Sequence, residues 1–193
     1  MNNPEYVKIG DKKYKINTDF RVAIECDRIA RDVNISDTER ELAIIYKLFG
    51  DEGLKDDKNY QELLEKAKIY LSCGKELEET DEEPDMDYIE DMDYIEASFM
   101  SDYKIDLSNE KMHWWKFNNL INGLSYSELG NCCVLNRVRS LRTYDVSKIK
   151  DNKERNKIAK AKEKVALKRN KKENNLTEEQ ERSMEELNKL AGL

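Results

Sequence analysis

The sequence predicts a mainly α-helical protein: a helical bundle with a short N-terminal β-hairpin and a charged C-terminal helical arm. Three observations carry this. Apolar residues make up 38% of the 193 positions against 39% charged, a balance that suits helices with broad solvated faces. Seven glycines and two prolines are too few turn residues for a β-sandwich of this length. Apolar side chains also recur at steps of three and four through most of the chain.

Tyr6-Val7-Lys8-Ile9 and Lys13-Tyr14-Lys15-Ile16 alternate apolar and polar on either side of Gly10-Asp11, which reads as a hairpin. An isolated hairpin is marginal in water, so Val7, Ile9, Tyr14 and Ile16 need helices or another subunit to lie on. Thr18 or Asp19 can cap a helix over about 19–33, with Val22, Cys26, Ile29 and Val33 on one face. Ser36 and Glu39 form a capping box for a second helix, about 37–49, with Leu42, Ile45, Tyr46 and Phe49 inward and Gly50 as its stop. A third, about 57–73, carries Tyr60, Leu63, Leu64, Ala67 and Leu71.

Lys75 to Glu96 carries a net charge of about −11. Like charges at that density repel, so 75–91 is expected to be an acidic loop or linker. Within it Met86-Asp87-Tyr88-Ile89-Glu90-Asp91 is followed by the near-copy Met92-Asp93-Tyr94-Ile95-Glu96-Ala97. Six residues turn a helix by about 240° beyond whole turns, so the copies cannot present Tyr and Ile to one core. The second copy is expected to pack and the first to be a tolerated duplication. The central glycine and spacing of a calcium loop are absent.

A fourth helix, about 92–103, groups Ile95, Phe99, Met100 and Tyr103. Ser108 then caps a fifth, about 109–122, with Trp114, Phe117 and Ile121 inward and Trp115 about 100° away, toward another helix or a partner. Ser125 and Glu128 box a sixth, about 126–141, with Leu129, Cys132, Cys133, Leu135 and Val138 inward; Arg137, Arg139 and Arg142 line its end. Lys148 to Lys172 carries about +9 with a thin stripe of Ile158, Ala161 and Val165. A last helix over about 178–191 bears Met184, Leu187 and Leu190. Residues 1–145 are thus expected to form a core domain and 146–193 a charged arm.

No catalytic, metal-binding or cofactor-binding residue is identified. The four cysteines have no C-x-x-C pairing, the one histidine stands among tryptophans, and no phosphate-binding glycine loop or nucleophile elbow occurs. No apolar run reaches the roughly 18–20 residues of a membrane span, and the N-terminus lacks a secretion signal's charged and apolar regions. A non-enzymatic cytoplasmic protein is expected. A formal charge of −7 disfavours nucleic acid for the molecule as a whole. The basic 148–172 segment is the place where phosphates would bind, but pairing with the acidic stretch or simple solvation is preferred for it.

Asp93-Tyr94-Ile95-Glu96-Ala97-Ser98-Phe99, Tyr103-Lys104-Ile105-Asp106-Leu107, Met112-His113-Trp114-Trp115-Lys116-Phe117 and Gly123-Leu124 together resemble a family of tail-cassette proteins from siphophages and prophages of Gram-positive bacteria. The hairpin leading into Asn17-Thr18-Asp19-Phe20-Arg21 is similar to that family's start. The resemblance covers about residues 5–170 and departs at the duplicated hexapeptide and at Lys104, where glycine is expected. In those genomes the gene lies between the major tail tube protein and the tape-measure protein. This slot implies a tail assembly chaperone that binds the tape-measure protein, with the major tail tube protein as a further partner and homo-oligomerisation open, acting in the host cytoplasm and absent from the mature virion. The alternatives are a structural tail or connector component and a nucleic-acid binder using 148–172. Trp115, Tyr88, Tyr94, Phe99, Val7 and Ile9 are the residues offered for partner binding.

Overall fold

Gly10 takes φ 54 at the first of two turn residues, a left-handed conformation that a side chain would strain. The turn joins strand β1 (Tyr6–Ile9) to β2 (Lys12–Lys15) in antiparallel register with Val7 opposite Tyr14. Alternation then buries Ile9, Tyr14 and Ile16 and exposes Lys8, Lys13 and Lys15. The computed structural model describes residues 3–75, 83–126 and 132–168. Among these, the hairpin is followed by seven α-helices, the mainly α architecture read from the sequence. The expected helix over 178–191 lies outside the described residues. The chain forms two compact units, Met1–Thr80 with Ile95–Ser125 and Asp81–Tyr94 with Tyr126–Leu193, a division that does not fall at residue 145.

In the first unit, Asp19 caps α1 (Phe20–Ala30) through the Arg21 amide. The helix ends about three residues earlier than its apolar period suggests, which leaves Val33 88% exposed rather than inward. Ser36 and Glu39 form the expected capping box on α2 (Asp37–Leu54). Gly50 kinks α2 at φ 65, ψ −158 without ending it; Ile45, Leu48 and Phe49 face inward while Tyr46 turns out to 50% exposure. A single 3-10 turn at Asp57–Asn59 leads into α3 (Tyr60–Leu71), which buries Leu63, Leu64, Ala67 and Tyr70. α1 and α3 both pack on α2.

The core closes on Phe117 of α5 (Trp114–Asn122). Its ring stacks on Phe20 at 4.3 Å, on Phe99 of α4 (Met92–Tyr103) at 5.3 Å and beside Trp114 at 5.9 Å. α4 has the expected bounds, although Met100 is 46% exposed. It closes at Lys104, whose φ of 58 accompanies bonds from the Lys104 amide to Met100 O and from the Ile105 amide to Phe99 O. This left-handed turn forms in spite of the lysine. Lys104→Gly is therefore expected to raise stability by about 1 kcal/mol, read as a higher urea midpoint at unchanged slope.

α5 starts later than expected, with His113 as its cap in place of Ser108. The reason lies far away in sequence. The Phe20 amide donates to Met112 O and the Trp114 amide to Thr18 O, and this short pairing holds residues up to His113 extended. Ser108 instead turns back on the Asp106 carboxylate.

In the second unit Cys133 caps α6 (Val134–Thr143), whose Leu135 and Val138 are buried. The expected box partner Glu128 and the apolar Leu129 lie outside the described residues. α7 (Asn152–Val165) packs on α6, and Leu167 just beyond it is fully buried. The first hexapeptide copy belongs to this unit, and it is not idle. Asp87 accepts from the Ile89 and Glu90 amides at 2.8 and 3.0 Å, and the Asp91 carboxylate accepts the Asp87 amide at 3.0 Å. Asp87 is 4% and Asp91 0% exposed, so residues 87–91 are a hydrogen-bonded turn with two buried carboxylates rather than a solvated linker. The two isoleucines diverge, Ile89 being 43% and Ile95 0% exposed, because the first copy is a turn and only the second lies in a helix.

Candidate functional site

A helix that begins out of an extended segment needs an acceptor for its first amides, and His113 supplies one with an unusual group. Its Nδ1 accepts the Trp115 amide at 3.0 Å. The ring proton therefore sits on Nε2, which donates to Pro4 O at 2.9 Å. Both ring nitrogens are engaged in holding α5 to the N-terminal segment.

The two residues after this cap satisfy another helix's end. The last carbonyls of α3 have no partner within the helix. Trp114 Nε1 donates to Leu71 O and Trp115 Nε1 to Tyr70 O, each at 2.9 Å. Tyr70 stacks on Trp115 at 6.2 Å and meets His113 edge-on at 5.9 Å. Gly74 turns at φ 71 beneath Trp115, and a Cβ there would lie 3.3 Å from the indole. The adjacent tryptophans thus clamp the C-terminus of α3.

The six residues offered for partner binding divide between the units, Val7, Ile9, Phe99 and Trp115 in the first and Tyr88 and Tyr94 in the second. Phe99 is 0% and Ile9 4% exposed, so both are core side chains and neither presents a surface. Trp115 is half-buried with its indole N–H in use on α3, the helix of the two alternatives its 100° offset left open. Val7, Tyr88 and Tyr94 are half-buried.

An open surface lies instead beside the kink in α2. There the chain leaving β2 is tied to the helix by the Asn17 amide on Leu48 O at 2.8 Å. A groove of about 780 Å³ runs along Lys15, Ile16, Asn17, Tyr46, Gly50 and Asp51. The sequence hides this groove, because in it Gly50 reads as a helix end and Tyr46 as a core residue.

Elsewhere the polar groups of the first unit are structural. Asp56, 8% exposed, accepts from Lys12, the Tyr14 hydroxyl and Asn59, fastening β2 to the end of α2. The Lys12 bond first, then those from Tyr14 and Asn59, hold its carboxyl well below the ordinary carboxylate range. A depressed folded-state value stabilises above the unfolded value near 4 and is lost as pH falls through the folded one. The midpoint difference between wild type and Asp56→Asn, measured by thermal unfolding, is expected to be full at neutral pH and to shrink below about pH 4. Burial pushes the Cys26 thiol up to about 12 and the Cys73 thiol up to about 11, which keeps both protonated and poorly nucleophilic at neutral pH. Among the described residues no group of three or more His, Cys, Asp or Glu is placed to hold a metal ion, and no helix is long and apolar enough to cross a membrane.

In the second unit the charge is paired across distant sequence. Arg142 grips Asp91 with both terminal nitrogens at 2.6 and 2.7 Å, and also donates to Asp85 O at 2.9 Å and Val165 O at 2.6 Å. Arg139 donates to the Asp85 carboxylate at 3.0 Å. Two of the three arginines expected to line the end of α6 thus hold the acidic turn in place, while Arg137 is exposed.

Residues 2–167 match the family model described as Bacteriophage Gp15 protein. No curated protein and no solved structure gives a match.

Proposed function

The chain belongs to the Bacteriophage Gp15 protein family, and from that premise we propose that it is a non-enzymatic tail assembly chaperone that binds and solubilises the tape-measure protein. The family match over nearly the whole chain carries this reading. The resemblance of the Trp-Trp segment to tail-cassette proteins supports the finer role. A long helical partner prone to aggregation needs apolar contact together with surrounding charge that keeps the complex soluble. The groove along Tyr46 offers an aromatic anchor flanked by Lys15, Lys47 and Asp51. On this reading the protein works in the host cytoplasm and leaves before the particle is complete.

Co-expression with the neighbouring tape-measure protein tests it. A soluble complex is expected in which Tyr46→Ala lowers recovery of the partner while the urea midpoint of the free chain stays close to wild type. A tape-measure protein that remains insoluble, with no complex eluting, sinks the proposal.

A further inference from the structure

α7 carries a row of lysines that the chaperone reading does not use. Lys153, Lys157, Lys160 and Lys164 follow one another at steps of four, three and four, which places them within about 60° of one helix face. All four are exposed. They extend for about 16 Å along the axis at 1.5 Å per residue. The apolar positions Ile158, Ala161 and Val165 are half-buried and centre about 100° away round the same helix, where α7 packs on α6. Lys162, on the side opposite the row, is bonded to Tyr144 O at 3.0 Å, and Arg142 holds Val165 O at the helix end. The helix is therefore anchored by its other faces with the lysine row turned out.

The acidic stretch of this chain was the natural competitor for these lysines. Of its described carboxylates in the second unit, Asp85 and Asp91 are taken by Arg139 and Arg142, Asp87 by the Ile89 and Glu90 amides, and Glu90 by the Lys168 amide. Among the described residues no carboxylate lies within ion-pair distance of the four lysines.

We propose that this lysine row is a nucleic-acid phosphate-binding face, a second function that stands apart from the chaperone reading. The chemistry of the face selects the partner class. It holds no aromatic or aliphatic anchor, whereas protein interfaces draw their affinity from such anchors and are depleted in lysine. Surface membrane binding needs a bulky apolar face to insert, and the apolar side of α7 is a thin half-buried stripe of Ile158, Ala161 and Val165. Counterion release from a phosphate backbone needs only closely spaced cations. The absence of stacking or base-reading side chains makes the binding independent of sequence.

Gel retardation of the full chain with a duplex, a single-stranded DNA and an RNA of equal length tests the proposal and separates the three sources of phosphate. Binding to at least one is expected at 50 mM salt. Four neutralised phosphates give a slope near −3.6 in log K against log salt on duplex, so affinity falls by about 150-fold by 200 mM. The variant Lys153→Gln/Lys157→Gln/Lys160→Gln/Lys164→Gln, which keeps good helix formers, is expected to abolish the shift with an unchanged circular dichroism spectrum. The same charge change at Lys8, Lys55, Lys58 and Lys116 is expected to leave most of it. No retardation of any probe at 50 mM, equal loss in the two variants, or binding to polyglutamate in place of all three nucleic acids overturns the proposal.

Discussion

Asp91→Ala is expected to destabilise the second unit by about 3–5 kcal/mol, because it strands the Arg142 guanidinium in a site where the two side chains are 9% and 1% exposed. The loss should appear as a lower urea midpoint and as faster amide exchange in α6. Arg142→Ala should cost a similar amount by leaving Asp91 without its cation, and the double variant should lose less than the sum. The tandem repeat sharpens this test. The two copies differ at their last residue, Asp91 in the first and Ala97 in the second. Deleting Met86–Asp91 slides the second copy into the place of the first and puts Ala97 where Arg142 needs a carboxylate. The deletion is thus expected to behave like Asp91→Ala even though an almost identical hexapeptide remains. A deletion variant within about 1 kcal/mol of wild type would show that the first copy does no structural work.

Trp115→Ala is expected to cost about 2–3 kcal/mol in the first unit, less than a fully buried tryptophan because the ring is only half-buried. Trp115→Phe keeps a ring on Tyr70 and removes the bond to Tyr70 O, so a smaller loss of about 1–2 kcal/mol should remain. The phenylalanine variant also separates structure from recognition. If Trp115 serves as a clamp, this variant captures the tape-measure protein as well as wild type once both are folded. A variant of wild-type stability that fails to capture the partner would return Trp115 to the binding surface.

These two sites show where sequence reasoning reached and where it stopped. Local chemistry was legible: Ser36 and Glu39 three residues apart specify the start of α2, and the bounds of α4 follow from the apolar period of Ile95, Phe99 and Tyr103. Trp114 was readable as core because the stripe it shares with Phe117 and Ile121 has helical spacing. Features created by pairing across the chain were not. His113 caps α5 because Thr18 and Phe20 bind the backbone on either side of it. Asp87 and Asp91 sit in a stretch whose charge density alone argues for a solvated loop, and it is Arg142, 51 positions away, that supplies the cation for buried Asp91. Trp115 points away from its own helix's buried stripe, as the 100° step requires, but meets the carbonyl end of α3 there. The groove beside Tyr46 was hidden for a related reason, since a glycine that kinks a helix and one that ends it look alike in a single sequence.

The most direct test of the central claim is quantitative mass spectrometry of two fractions from cells producing the phage: the soluble lysate before tails are complete, and the purified particles. The expected result is that the protein co-fractionates with the tape-measure protein in the lysate and is absent from the particles. A fixed copy number of the protein in purified particles would contradict a chaperone and identify a structural component of the tail.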